Sequence, residues 1–399
     1  MRSRSPWVLV LGLLLPVALV VGLWLGGHPN SLPEPLRNVF VDKNEQTLNQ
    51  GLDILERDYY RKLPRGELVN RSLSGAVRSL DDRFSHYFDP KAFAAFQRST
   101  EGRFSGVGIN VAPDKRGLRV LAVFPNSPAK RAGLGRGDVV VAVNGTTLAG
   151  RSSDFASGLI QGKEGTKVTL TFVSGGHRKT ERITREQIEV PSVTSRVVKA
   201  GGQPVAYVRL ADFSEGAGDE VAHVVKERLK GGAKAVVLDL RGNGGGLLDE
   251  AVKAASVFIP AGPVVITDGR SRPRHVFKAN GDAISTKVPV VVLVDEGTAS
   301  AAEIVAGALE DRHRAKLVGT RTFGKGVFQE IEPLDNGGAL DITVGEYFTP
   351  SGRNLGGGGT KRGAGLEPNV VVRDRPGSHG DRTLAAALAL LARSVKHGE

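Results

Sequence analysis

A serine at position 300 and a lysine at position 325 lie in two glycine-punctuated segments, VDEGTASAAE (294–303) and GTRTFGKGVFQ (319–329). A hydroxyl becomes a nucleophile when a base removes its proton, and a lysine amine is such a base once burial favours its neutral form. Ser300 falls where an apolar run, VPVVVLVD (288–295), passes through Gly297 into a helical segment over 301–309. Its hydroxyl is thereby placed beside the unsatisfied N–H groups of a helix start. Lys325 sits in a glycine turn after Leu317 and Val318, with Gln329 four positions on. Residues four apart on a strand share a face, so Gln329 is placed to hold the amine in line. A third segment, DLRGNGGG (239–246), ends one strand and opens a helix. The side-chain-free amides of Gly244, Gly245 and Gly246, with that of Ala301, suit the oxygen of an attacked carbonyl.

Each feature also has a purely structural explanation. Ser300-Ala301-Ala302-Glu303 is a capping box, which needs no catalysis. A lysine between two glycines is an ordinary solvated loop residue, and the glycines serve tight strand-to-helix packing. His313, His86 and His275 stand in polar settings and remain alternative bases, because triads are assembled by fold and not by spacing.

The elements that position these residues follow from hydrophobic period. Over 190–375 apolar strands at 204–210, 235–240 and 288–295 alternate with helical segments at 219–229, 248–258 and 301–309, which predicts an α/β core. A helix rich in alanine and leucine over 382–394 ends that unit. From 102 to 189 the pattern changes to short strands at 104–112, 119–123, 138–143 and 167–173, with a hairpin signal at Asn144-Gly145. Over 38–98 leucines recur at helical spacing (Leu48, Leu52, Leu55; Leu73, Val77, Leu80), and Asp89-Pro90 reads as an N-cap and first helical position.

Composition narrows the function. The 399 residues are 40% hydrophobic and 24% charged, a globular balance long enough for two or three domains, and 52 glycines favour many tight turns. Lysine and arginine (54) exceed aspartate and glutamate (42), giving a net charge of +12, but they are scattered without an aromatic-interleaved groove. No nucleic-acid partner is expected. Absence of cysteine excludes thiol chemistry and disulfides, and eight dispersed histidines without H-x-x-x-H spacing predict neither metal nor cofactor. At the amino terminus, Arg2 and Arg4 precede WVLVLGLLLPVALVVGLWL (7–25), a run long enough to span about 28 Å as a helix. Residues 1–28 are therefore expected to be a signal anchor, single-pass in the cell membrane, with the remainder extracytoplasmic; secretion after signal-peptide cleavage is the alternative.

Two resemblances organise the rest. SGVGINV (105–111), NSPAKRAGLGRGDVVVAVNG (126–145) and the helix-like 153–160 before GKEGT resemble a PDZ domain. That likeness implies that Val107, Gly108 and Ile109 form the turn that receives a peptide's terminal carboxylate. With DLRGNGGGLLDEAV, DEGTASAAEIVAGAL, GTRTFGKGVFQ and YFTPSGRNL in order, the chain from about residue 40 to 395 resembles the carboxyl-terminal processing peptidases, or tail-specific proteases. The resemblance implies an α/β plus β fold: a crotonase-like α/β protease core (190–399) with an inserted PDZ domain (99–189), a small helical region (29–98) and the membrane-spanning helix. It implies a serine endopeptidase with a Ser/Lys dyad, acting on proteins or peptides with free C-terminal tails. Ser300 is then the nucleophile, Lys325 the base, Gln329 its support, and Gly245, Gly246 and Ala301 the oxyanion region. The chain departs from the family in having Ala302 where a second serine is common, and Gln161 where many members carry an arginine before the PDZ glycine turn. The rival reading is a PDZ scaffold on an inactive core that holds tails without cutting them.

Overall fold

A computed structural model describes residues 43–100, 103–151, 153–284, 286–360, 363–374 and 380–397. The expected membrane-spanning helix lies outside them; among the described residues no helix is long and apolar enough to cross a membrane. The chain separates into two compact units, 1–79 and 80–399. In the first, helices Lys43–Asp58 and Arg65–Arg78 form a hairpin, and Arg65 near the start of the second helix ion-pairs with Asp53 of the first at 2.6 Å.

The centre of the second unit is a six-stranded sheet. Its order is Val193–Ala200, Gln203–Leu210, Ala235–Asp239, Val290–Val294, Ala315–Gly319, Val370–Val371; the first pair is antiparallel and the rest parallel. Strands Ala235–Asp239 and Val290–Val294 are buried at every residue, which is why they read as unbroken apolar runs and not as alternation. The period of two still sorts the faces. Val208, Leu210, Val236, Leu238, Val292 and Val294 join helices Ala217–Lys230, Leu248–Ser256 and Ala301–Asp311 in one core, while Tyr207, Val237, Leu293 and Val318 meet Leu384, Ala387 and Leu391 of helix Arg382–His397 on the other face.

That last helix is held at its start by charge. Asp381 accepts from the N–H of Leu384 at 2.8 Å as an N-cap and also from Arg241, whose guanidinium bonds the fully buried Asp239. Asp381→Ala is expected to lower stability by about 1 kcal/mol or somewhat more, because it removes both the cap and one arginine partner. Thermal melting of the purified chain checks this.

A second, antiparallel sheet has no counterpart in the hydrophobic pattern of the chain. It orders His86–Phe88, Ala339–Phe348, Pro263–Asp268, His275–Lys278, with Val327–Pro333 also pairing Ala339–Phe348. Its long strand Ala339–Phe348 is partly buried at eight of ten positions, so it carries no clean apolar alternation to read. The segment before the PDZ-like region belongs here: Asp89 caps helix Pro90–Thr100 through the N–H of Ala92 at 2.8 Å, and His86–Phe88 pairs with Phe88 opposite Ala339.

The β-rich insertion forms its own sheet, in the order Ile109–Asp114, Gly117–Val123, Val139–Val143, Lys167–Ser174, His177–Thr184. The single strand expected over 104–112 is two strands. Arg103–Gly106 pairs with Glu186–Glu189 where the insertion leaves and rejoins the chain, and Ile109–Asp114 starts the sheet. The break is Gly108, at φ 81°, where a Cβ would stand 2.3 Å from Cβ of Ser127. Only a residue without a side chain fits there. Asn144 and Gly145, at φ 48° and 79°, make the expected tight hairpin turn.

Candidate active site

Ser300 lies on the sharp turn between strand Val290–Val294 and helix Ala301–Asp311, at φ 54° and ψ −121°. An ordinary N-cap is extended; a non-glycine residue here stores about 1–3 kcal/mol of backbone strain. The capping-box pattern with Glu303 is present, but its serine half is loose, with no cap hydrogen bond of full geometry to the hydroxyl. The well-formed half is the return bond, from the N–H of Ser300 to Oε2 of Glu303 at 3.1 Å.

Glu303 does far more than cap a helix. It is fully buried, and its Oε2 also accepts from the N–H of Lys325 at 3.0 Å. Its Oε1 accepts from Oγ1 of Thr322 at 2.5 Å and the N–H of Gly324 at 2.8 Å. One carboxylate thus fastens the serine turn to the lysine turn. Burial pushes the Glu303 carboxyl above its usual range, and these four donors pull it back. A second tie runs from the N–H of Phe323 to the carbonyl of Thr298 at 3.0 Å.

Lys325 precedes the strand Val327–Pro333, whose register shifts between Phe328 and Gln329; its Nζ donates to Oε1 of Gln329 at 2.5 Å, so the expected bond forms although the two residues do not share one regular strand. Gln329 Nε2 passes on to Oγ1 of Thr343 at 2.9 Å, and the N–H of Thr343 donates to the buried Ser85 Oγ at 3.0 Å. The hydroxyl of the buried Tyr347 donates to the carbonyl of Lys325. Burial lowers the proton affinity of the Lys325 amine, opposed by the negative charges of Asp341, Asp82 and Glu303. No hydrogen bond joins Ser300 Oγ to Lys325 Nζ in this arrangement.

The glycine turn closes the opposite side. Gly245 abuts the serine: a Cβ on it would lie 2.7 Å from Cβ of Ser300 and 3.0 Å from the carbonyl of Ala299. Its N–H is taken by Oδ1 of Asn243 at 2.9 Å, while the fully buried Asn243 also receives the N–H of Ala299 on its carbonyl at 2.9 Å. Gly246 packs on the backbone of Phe213, and Gly244 faces open space. Among the described residues the N–H groups of Gly244, Gly246 and Ala301 find no acceptor. Gly245→Ala, with φ at 107° and no room, is expected to cut peptidase turnover at least about tenfold, whereas Gly244→Ala stays near wild type. Initial rates on a tail-bearing peptide separate the two.

In the inserted sheet, Val107 is buried and its carbonyl accepts from Ala129 at 2.8 Å; the carbonyl of Gly108 accepts from Phe124 at 3.0 Å. The N–H groups of Val107 and Gly108 make no bond among the described residues. Ile109 begins an edge strand whose outer side carries no neighbour there. Gln161 is exposed, and the last-turn carbonyls of Leu159 and Ile160 are bonded instead by the buried Arg185, at 2.9 and 2.8 Å.

Ser300, Lys325, Gln329 and Gly245 lie in one site, but the N–H of Gly245, expected as an oxyanion donor, is taken by Asn243, which leaves Gly244, Gly246 and Ala301 with free amides among the described residues. Asn243, Thr322, Thr343, Tyr347 and the 82–86 segment carry no local signal of their roles, and Glu303 is readable only as a cap, from its place three residues after the serine.

Comparison with known proteins agrees with this architecture. The description "Peptidase family S41" matches residues 204–372, and "PDZ domain" matches 119–174. A carboxyl-terminal-processing protease of Synechocystis sp. is 34% identical over 387 residues, covering 93% of this chain and 88% of that protein. A probable CtpA-like serine protease of Staphylococcus aureus is 36% identical over 321 residues, 80% of this chain but 63% of that longer protein. The solved photosystem II D1 C-terminal processing protease superposes with a TM-score of 0.51 at 29% identity, covering 88% of this chain and 98% of that one. With a relative 34% identical across nearly its whole length and both family descriptions matched in order, the chain belongs to the S41 carboxyl-terminal-processing serine proteases and carries a PDZ domain.

Proposed function

We propose that this protease is anchored in the membrane by residues 7–25, acts outside the cytoplasm, captures C-terminal tails on its PDZ domain and cleaves them with Ser300 and Lys325. The observation that carries the dyad is the buried Glu303 carboxylate, which accepts from the backbone of both residues and so fixes the two turns against each other. Neutral Lys325 takes the Ser300 hydroxyl proton as Oγ bonds to the substrate carbonyl carbon. The N–H of Ala301 and a free amide of the glycine turn receive the resulting oxyanion. Collapse breaks the C–N bond, the Lys325 ammonium returns its proton to the leaving amine, and water, deprotonated by the same amine, then releases the acyl group. Because Lys325 now bonds Gln329, substrate entry must turn the amine toward Ser300; such bonds tighten when the substrate is in place.

The tail's carboxylate is received by the unpartnered N–H groups of Val107 and Gly108, and its backbone adds to the edge strand from Ile109. Gly108→Ala is therefore expected to raise KM for tail-bearing substrates by about tenfold while sparing short peptides that bypass the PDZ domain. Steady-state kinetics on a substrate with a free or an amidated C-terminus check it; an equal response to both removes the tail-capture reading. Membrane placement is tested by fractionating cells that express the chain with and without residues 1–28. Release of neither form from its compartment by that deletion sinks the anchor.

A further inference from the structure

The mechanism above needs a neutral amine and leaves one neighbour of Lys325 unused. Phe84 lies in the segment 80–88, distant in sequence, and its ring centre is 5.1 Å from Nζ of Lys325. The segment is pinned so that the ring cannot drift. Asp82 accepts from the N–H of Phe84 at 2.9 Å and from Oγ of Ser85 at 2.5 Å, and Ser85 in turn holds the strand that carries Thr343, the partner of Gln329. On its other contacts the ring meets the guanidinium of Arg83, 5.4 Å away, which also lies 5.6 Å from the ring of Phe323. The Phe84 ring thus lies against the Lys325 amine, with Arg83 between that ring and Phe323.

We propose that Phe84 is a positioning residue of the peptidase: it is the water-excluding wall that keeps the Lys325 amine dry. This rests on the reading of Lys325 as the base. Two effects of the ring oppose each other. Its face attracts an ammonium, by about 0.5–2 kcal/mol. Its bulk displaces water that would otherwise solvate the charge, and such desolvation is the largest influence on the Lys325 amine, outweighing the carboxylates around it. The wall requires Phe84's share of that desolvation to exceed its attraction for the ammonium, which is what the titration reads. The charged groups around Nζ pull the other way: Asp82 on the same segment, Asp341 on the strand Ala339–Phe348, and Glu303 on the serine helix. Arg83 adds positive charge from the segment itself, and the imidazole of His86 lies close to Asp341 and Asp82. Without an apolar wall, three carboxylates would hold Lys325 protonated.

The test measures the titration of Lys325 by NMR in full-length, detergent-solubilised Ser300→Ala protein with isotope-labelled lysine, its signal assigned by its loss in Lys325→Ala. The same positions are then varied in active protein for kcat/KM against pH. Phe84→Ala is expected to move the Lys325 titration up by about one pH unit, and the acid limb of kcat/KM with it, which reads as roughly tenfold lower rate below the limb. Phe84→Leu, which keeps an apolar wall but not the aromatic face, is expected to leave the titration at or slightly below the wild-type position. It also guards against misfolding, because a general loss of packing would solvate the amine and raise the titration in Phe84→Leu as well, an outcome that overturns the wall. An unmoved or lowered titration in Phe84→Ala overturns the wall, whatever the activity. A raised titration with an acid limb that stays in place upholds the wall and instead overturns Lys325 as the base.

Discussion

Ser300→Ala and Lys325→Ala are each expected to lower peptidase turnover on an unfolded, tail-bearing protein by on the order of 10⁴-fold or more, with the fold intact. The two variants fail for different reasons, and that difference is measurable. Alanine keeps the Cβ against which Gly245 packs, so the Ser300 turn retains its neighbours and loses only the attacking oxygen. Lys325→Ala keeps the backbone N–H that Glu303 accepts and removes the amine alone. Because burial lowers the proton affinity of Lys325, the neutral fraction grows as pH rises through a value below that of a free lysine. Wild-type kcat/KM is therefore expected to climb with pH across that limb, and the residual rate of Lys325→Ala to lack it. Melting curves confirm folding; undiminished cleavage by either purified variant would remove the dyad.

Glu303→Gln is expected to be nearly as damaging to activity and, unlike those two, to cost stability. Each carboxylate oxygen accepts from two donors: Oε1 from Thr322 and Gly324, Oε2 from Ser300 and Lys325. An amide keeps one oxygen and sets an NH₂ group against the other pair: either the N–H groups of Ser300 and Lys325 are orphaned together, or that of Gly324 is, the Thr322 hydroxyl turning to accept from the amide. An orphaned buried donor costs about 1–3 kcal/mol, which puts the variant about 1–4 kcal/mol below wild type. Since the orphans lie in the lysine turn in one orientation and in both turns in the other, the loss falls on kcat more than on KM. Denaturant melts beside steady-state kinetics provide both readings. A stable, fully active Glu303→Gln would show that the turns hold each other without the carboxylate and would remove the support for the dyad.

The sequence was most informative where local chemistry and burial coincide. Strands buried on both faces, such as Val290–Val294, leave no freedom but to be apolar throughout, so they stand out in any reading. The Asp89-Pro90 helix start and the Asn144-Gly145 turn are visible because their backbone conformations admit few residue types. The split at Gly108 was hidden: glycine within an apolar stretch fits a strand as well as a turn, and only the approach of Ser127 to 2.3 Å of a would-be Cβ decides between them.

At the site, sequence alone narrowed the side chains that could supply a nucleophile, a base and backbone donors, excluding thiol and metal chemistry but leaving His313, His86 and His275 beside Lys325 as possible bases. Tertiary structure decided how they are held. Glu303, Asn243 and Thr322 are ordinary polar letters in the chain, and their roles exist only because folding buries each where it must find every hydrogen-bond partner it can. Phe84 and Lys325 are separated by most of the chain, with the whole inserted sheet between them. Their contact arises from strand His86–Phe88 pairing beside Ala339–Phe348 in the second sheet, a long-range pairing that no local pattern encodes.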